Sequence, residues 1–277
     1  MLSGRSVNLN ALSLKHVIHS GNAVWAVTSL GDEVFVAHSG NSQKVKVYDA
    51  GTLSLQRSIT VPGLSEEPRC LIACIRNSCL YVSDWSHHSI HRAELTGSNA
   101  VTKWSVANSP AGLSVNKAHN VVVTCCSARK LQEYSTHGSL VREICLQAGV
   151  TSPWHATQLS SGDYVVSQYR SPAGVVSVVG VDGQVRHSYG QSQTSDVGQI
   201  KYPGALAVTK NDDILFAGWG NNRILSMNSS LSFVQKLTLP VDGGIQQPLG
   251  LCLDESRDRL YVGEFSGGSR VLVFGDD

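Results

Sequence analysis

The sequence predicts an all-β chain: a six-bladed β-propeller of four-stranded blades, with the ring closed by the N-terminal strand. Three observations carry this. A proline-led motif recurs along the chain. Each copy reads as a set of short strands separated by turns. The last copy ends one strand short, while a strand-like piece stands unassigned at the other end.

Five copies open with proline just before an apolar run: "EPRCLIACIRNSCLYVSDW" from Glu67, "SPAGLSVNKAHNVVVTCC" from Ser109, "SPWHATQLSSGDYVVSQY" from Ser152, "YPGALAVTKNDDILFAGW" from Tyr202 and "QPLGLCLDESRDRLYVGEF" from Gln247. The prolines are Pro68, Pro110, Pro153, Pro203 and Pro248, spaced by 42, 43, 50 and 45 residues. "GNAVWAVTSLGDEVFVAHSG" from Gly21 fits as a further copy without the proline. A period of this length with four strands per repeat marks a propeller blade.

Within each copy the elements follow one order. An apolar inner strand (LSV, LAV, LCL) leads to a polar turn bearing Gly, Asn or Asp, such as SSGDY or KNDDI. A second strand rich in Val, Tyr and Leu follows (VFVAH, LYVSD, ILFAG). After a polar loop comes an alternating third strand (VKVYDA, SIHRAEL, RILSMNS), then a fourth (SLQRSITV, LVREICL, FVQKLTL). β-branched and aromatic residues in short runs between turn residues form strands, and no segment carries a helical period. The blades fall at about 21–66, 67–108, 109–151, 152–201, 202–246 and 247–277 of a single 1–277 domain. The last ends after three strands. "VNLNALSLKHVIH" over 7–19 supplies the fourth, which removes an exposed sheet edge.

Bulk properties narrow the function. Of the 277 residues 42% are hydrophobic and only 16% charged, enough apolar material for a large core. The formal net charge is +1, so no global field draws nucleic acid or an anionic membrane. No apolar run is long enough to span a bilayer, the N-terminus has no secretory signal, and no membrane partner is expected. The odd count of seven cysteines, several inside apolar runs, fits a reduced, cytoplasmic setting. Cys70, Cys74 and Cys79 have spacings of four and five, unlike a paired zinc pattern, and read as buried small hydrophobes.

The pattern of proline and glycine before the inner strand, a second strand ending in Asp or Glu, and Asn-Arg-Ile before the third resembles the NHL repeat. "YPGALAVTKNDDILFAGWGNNRILSMN" (202–228) is the clearest copy, with Asn222-Arg223-Ile224 at that position. "LYVSDWSHHSIHRAELTGSN" is also, more weakly, similar to the YWTD repeat. The resemblance implies a recognition module like the NHL domains of tripartite-motif proteins, which bind protein partners or RNA. Other NHL propellers are metal-using lyases. YWTD propellers are extracellular and accompany disulfide-rich modules, which this chain lacks.

Propellers bind through the loops on one face, those before strand one and between strands two and three. Here these positions hold Arg69, Trp154, His155, Tyr202 and Gln247, then His38, Asp84, Trp85, Arg129, Lys130, Tyr169, Arg170, Trp219, Arg223, Glu264 and Phe265. Aromatics beside arginine suit an interface. Trp85, Tyr169, Trp219 and Phe265 occupy equivalent sites in four blades, as a platform or as packing between blades. The expected binding set is therefore Arg69, Trp85, Trp154, His155, Tyr169, Arg170, Trp219, Arg223 and Phe265. The expected role is non-catalytic recognition of a protein or peptide by a monomeric domain, with no cofactor and no metal. Single-stranded RNA on the same face is an alternative, with bases on the aromatics and phosphates on Arg69, Arg129, Lys130, Arg170 and Arg223; Asp84 and Glu264 oppose it. A further alternative is a metal-dependent lyase or hydrolase at the central channel. The channel openings read Ala23, Cys70, Gly112, His155, Ala205 and Gly250, and the candidate zinc ligands are His38, His87 and His155. The cluster "SDWSHHSIHRAELTGSN" (83–99) reads as the end of a second strand, its loop and a third strand.

Overall fold

The computed structural model describes residues 7–9, 11–40, 43–97, 100–169, 174–190, 199–232, 234–266 and 268–276. Its strands form six antiparallel four-stranded sheets. Numbered along the chain, β1 is Ser13–His19. The first blade holds β2 (Val24–Leu30), β3 (Glu33–His38), β4 (Lys44–Asp49) and β5 (Leu55–Thr60). The second holds β6 (Pro68–Cys74), β7 (Cys79–Asp84), β8 (Ser89–Glu94) and β9 (Val101–Ser105). In the third are β10 (Pro110–Val115), β11 (Val121–Cys125), β12 (Lys130–Tyr134) and β13 (Leu140–Cys145). The fourth comprises β14 (Pro153–Gln158), β15 (Tyr164–Gln168), β16 (Val175–Val179) and β17 (Val185–Tyr189). The fifth comprises β18 (Pro203–Val208), β19 (Ile214–Gly218), β20 (Arg223–Met227) and β21 (Val234–Lys236).

The sixth sheet closes the ring. Its order is β1, then β24 (Arg270–Gly275), β23 (Arg259–Glu264) and β22 (Pro248–Asp254). β1 runs antiparallel to β24 from Ser13 opposite Gly275 to His19 opposite Arg270. The expected closure is therefore present, with the strand itself starting at Ser13. Val7 and Leu12 lie outside it, yet are buried against the fifth and sixth blades.

Each of the five prolines is the first residue of an inner strand, where its missing N–H costs no ladder bond. Each pairs with the last residue of the second strand: Pro68 with Asp84, Pro110 with Cys125, Pro153 with Gln168, Pro203 with Gly218 and Pro248 with Glu264. A register shift follows each proline. Val24, opposite His38, takes this place in the first blade, so the channel position there is Ala26 and not the expected Ala23. The missing proline removed the mark that sets the register.

Side chains of the second strands are buried on both faces because each blade packs between two others. In β3, Val34 and Val36 meet Tyr261 and Val273 of the sixth blade, while Phe35 and Ala37 meet Leu80 and Val82 of the second. One such cluster fills every interface between blades. This produces continuous apolar runs in place of alternation. The inner strands converge on the channel and are crowded. A Cβ on Gly112 would lie 2.6 Å from Cα and carbonyl oxygen atoms of His155 and Trp154 in the next blade.

Tight turns place the third strands. Asn222 has φ 53° just before β20, and His88, Arg129 and Ser269 adopt positive φ at the same place before β8, β12 and β24. After glycine, asparagine tolerates the left-handed region best, which gives the Asn-Arg-Ile run a physical reason: Asn makes the turn, Arg starts the strand and Ile224 enters the core.

Candidate functional site

Two ring-like sets of positions meet at one mouth of the channel. The second residue of each inner strand is Trp25, Arg69, Ala111, Trp154, Gly204 or Leu249. The residue after each second strand is Ser39, Trp85, Cys126, Tyr169, Trp219 or Phe265. The second set is pinned by a recurring backbone bond. The N–H groups of Ser39, Cys126, Tyr169, Trp219 and Phe265 donate to the carbonyls of Ala23, Ser109, Ser152, Tyr202 and Gln247, just before the inner strand of the same blade.

The large members of both sets form a closed circuit. Trp25 meets Phe265 edge-on at 4.9 Å, and Phe265 meets Trp219 at 6.5 Å. Trp219 contacts Tyr169 (6.1 Å) and Tyr202 (5.6 Å), which lie 5.1 Å apart. Tyr169 stacks at a tilt on Trp154 (4.9 Å), and Trp154 reaches Trp85 (6.1 Å) across the third blade, whose own residues here are the small Ala111 and Cys126. The Arg69 guanidinium completes the circuit, 4.1 Å from the Trp25 ring, 5.3 Å from Trp85 and 6.0 Å from Trp154. All of these side chains are half-buried. Packing and exposure, posed as alternatives from the sequence, coexist: each ring packs edge or face on a neighbour and keeps part of its surface open. The collar borders a cavity of about 280 Å³ lined by Trp25, Arg69, Trp154, Tyr169, Trp219, Leu249 and Phe265. A second cavity of about 310 Å³ occupies the channel between the inner strands and shares Trp25, Arg69, Trp154 and Leu249 with the first.

Arg69 is the cation of this mouth. Its Nη2 donates to Glu67 Oε2 at 2.9 Å, and its buried Nε has no partner among the described residues. Burial lowers the guanidinium pKa, against the pull of the Glu67 carboxylate. The carboxylates expected to face it do not. Asp84 and Glu264 end second strands, as does Gln168, and are fully buried. They anchor the loops that lead into the inner strands. Asp84 accepts the Ser65 N–H (3.0 Å), Gln168 that of Thr151 (2.9 Å) and Glu264 that of Gln246 (2.7 Å). Arg270 also binds Glu264, at 2.7 and 3.1 Å. Burial alone would raise the Asp84 pKa, but hydrogen bonds from His91, His87 and Ser65 outweigh it and hold the carboxyl well below the usual range.

Six of the nine expected residues thus converge: Arg69, Trp85, Trp154, Tyr169, Trp219 and Phe265. His155 does not join them. It is buried in the channel wall, where Nε2–H donates to the Leu113 carbonyl at 3.0 Å, and burial lowers its pKa to about 4. Arg223 starts β20, and its Nε donates to the Asn221 carbonyl at 3.3 Å; it does not line the collar cavity. Arg170 lies outside the described residues. Trp25 was missed, although "VWA" aligns with "PWH" once Val24 is set against Pro153.

The candidate zinc ligands separate. His38 is buried with neither ring nitrogen partnered among the described residues, and burial, aided by the charge of Lys46, lowers its pKa to about 4. His87 donates from Nδ1 to Asp84 Oδ2 at 2.9 Å and does not line the channel cavity. Among the described residues no group of three His, Cys, Asp or Glu side chains is placed to hold a metal ion. The seven thiols are all free; Cys70, Cys74, Cys79 and Cys125 are buried, whereas Cys145 is exposed.

Comparison with solved structures agrees on the architecture. The chain is a six-bladed propeller. It is similar to a streptogramin B lyase at 13% identity and TM-score 0.67, covering 95% of this chain and 98% of that one. It is similar to the catalytically inactive virginiamycin B lyase of Staphylococcus aureus solved with quinupristin, at 12% identity and TM-score 0.66 over the same shares. It is also similar to the hydrazine synthase of Kuenenia stuttgartiensis, at 15% identity and TM-score 0.68, covering 92% of this chain and 78% of that one. At such identities the likeness shows the fold. No family model matches the chain, and no curated protein sequence matches it. Among the described residues no helix is long and apolar enough to cross a membrane.

Proposed function

We propose that this propeller is a non-catalytic recognition module of the NHL type, acting in a reducing compartment as a single domain, and that it binds a peptide segment of a protein partner at the aromatic collar. One observation carries the reading: a closed circuit of half-buried rings around the channel mouth, rigid, amphipathic and supplied by five of the six blades. Tryptophan and tyrosine bury large area at small entropic cost, which suits recognition of a peptide side chain.

The cations of this face favour peptide over RNA. Lys130 is tied to Glu143 at 2.6 Å and Arg223 donates to a backbone carbonyl, which leaves Arg69 and Arg129 as separate cations among the described residues. A phosphate backbone needs a track of available cations. The test is retention of a random octapeptide pool on the immobilised chain, beside a random single-stranded RNA pool at low and moderate salt. The reading predicts that peptides are retained and that Trp219→Ala loses them by about ten-fold or more with the thermal transition largely kept. Salt-sensitive RNA retention without peptide retention contradicts it. Unfolding by Trp219→Ala would make that ring a core residue; Phe265→Ala then serves as the second variant.

A further inference from the structure

We infer that the collar takes the C-terminal end of a partner polypeptide, with the terminal carboxylate on Arg69 and the last side chain among the rings. This rests on the peptide-recognition reading above. Three features point to it.

The first is topology. The circuit from Trp25 through Phe265, Trp219, Tyr169, Trp154, Trp85 and Arg69 closes on itself. A groove lets a chain pass across, whereas a ring closed on all sides around the channel mouth admits a chain end. The collar cavity of about 280 Å³ has room for one residue, and the channel cavity shares four of its lining residues.

The second is charge. Among the described residues Arg69 is the one charged residue lining the cavity. Glu67, bonded to Arg69 at 2.9 Å, is not among the described lining residues, and Asp84 and Glu264 are buried and engaged with the loops of their own blades. A described lining with one cation and no carboxylate complements an anion that takes the place of Glu67, and disfavours an N-terminal ammonium group.

The third is the state of Arg69. Three indoles frame the guanidinium, so its orientation is set before a ligand arrives. Its Nε–H has no acceptor among the described residues, and its Nη2 is held by Glu67, a side chain 51% exposed. A carboxylate among the rings would complete the guanidinium's hydrogen bonds by displacing Glu67. In this desolvated setting the charge-assisted pair is stronger than one at an open surface.

The experiment compares two forms of one random octapeptide pool, both N-terminally anchored, one with free C-terminal carboxylates and one amidated. The proposal expects the acid form to bind about ten-fold or more tightly than the amide, the worth of one charge-assisted hydrogen-bonded pair. Arg69→Gln should bring acid and amide to the same affinity, while Trp219→Ala weakens both. Arg69→Lys, which keeps the charge, should retain part of the acid preference and serves if Arg69→Gln fails to fold. Equal binding of acid and amide by the unaltered chain overturns end recognition and leaves peptide recognition standing. Failure of both forms to bind overturns both.

Discussion

At the scale of residues, burial decides which polar groups act at the site and which build it. His155 stood out in the sequence as the channel-opening residue able to act as a ligand or base. Its environment makes it a neutral strut: buried, one nitrogen bonded to Leu113, pKa lowered to about 4. His38 is held neutral in the same way. Both bind fewer protons folded than unfolded between about pH 6.5 and pH 4, so folding stability falls as pH drops through that window. Each group contributes a slope of up to about 1.4 kcal/mol per pH unit there. Urea unfolding midpoints at pH 7.5, 5.5 and 4.5 should fall along this series, and His155→Asn should flatten it. A stability independent of pH down to 4.5 would mean that neither histidine is held neutral. Asp84 belongs to a lower window, since its depressed pKa supports the fold until pH falls well below the ordinary carboxylate range.

At the scale of elements, the sequence was most legible where chemistry forces a residue type. Proline opens five inner strands because an N–H is not needed there. Asparagine stands in the left-handed turn before β20 because it tolerates positive φ. These marks give the blade order and the strand register. Where the mark is absent, in the first blade, the register slipped from Ala26 to Ala23 and Trp25 was overlooked. The closing strand was legible from the strand count alone. β1 covers the edge of β24, and Ile18, Leu12 and Val7 are buried beside it. Removing residues 1–19 strips several kcal/mol of apolar burial and bares a sheet edge. The thermal midpoint should fall by about 10 °C or more, with aggregation on heating. An unchanged transition would show that the ring does not depend on this strand.

At the scale of the whole molecule, the candidate site is a property of the ring. No copy of the repeat contains it; each blade brings one or two side chains, and the third contributes small residues over which Trp85 and Trp154 meet. The sequence placed most of these residues on one face because the repeat fixes which loop each occupies. It left open that they would touch one another, that Arg69 would sit among three indoles, and that Asp84 and Glu264 would turn inward. Those outcomes depend on distances between blades, which no local pattern encodes.

The tryptophans offer the most direct test of the central claim. Trp25, Trp85, Trp154 and Trp219 belong to the collar, while Trp104 lies elsewhere, packed on Tyr81 and Tyr134. Indole N–H resonances of the ¹⁵N-labelled chain, assigned by single Trp→Phe changes, can be followed during titration with the free-acid octapeptide pool. Recognition at the collar predicts movement of the four collar indoles with Trp104 unmoved as an internal reference. Movement of Trp104 alone, or of none of the five, would contradict the account.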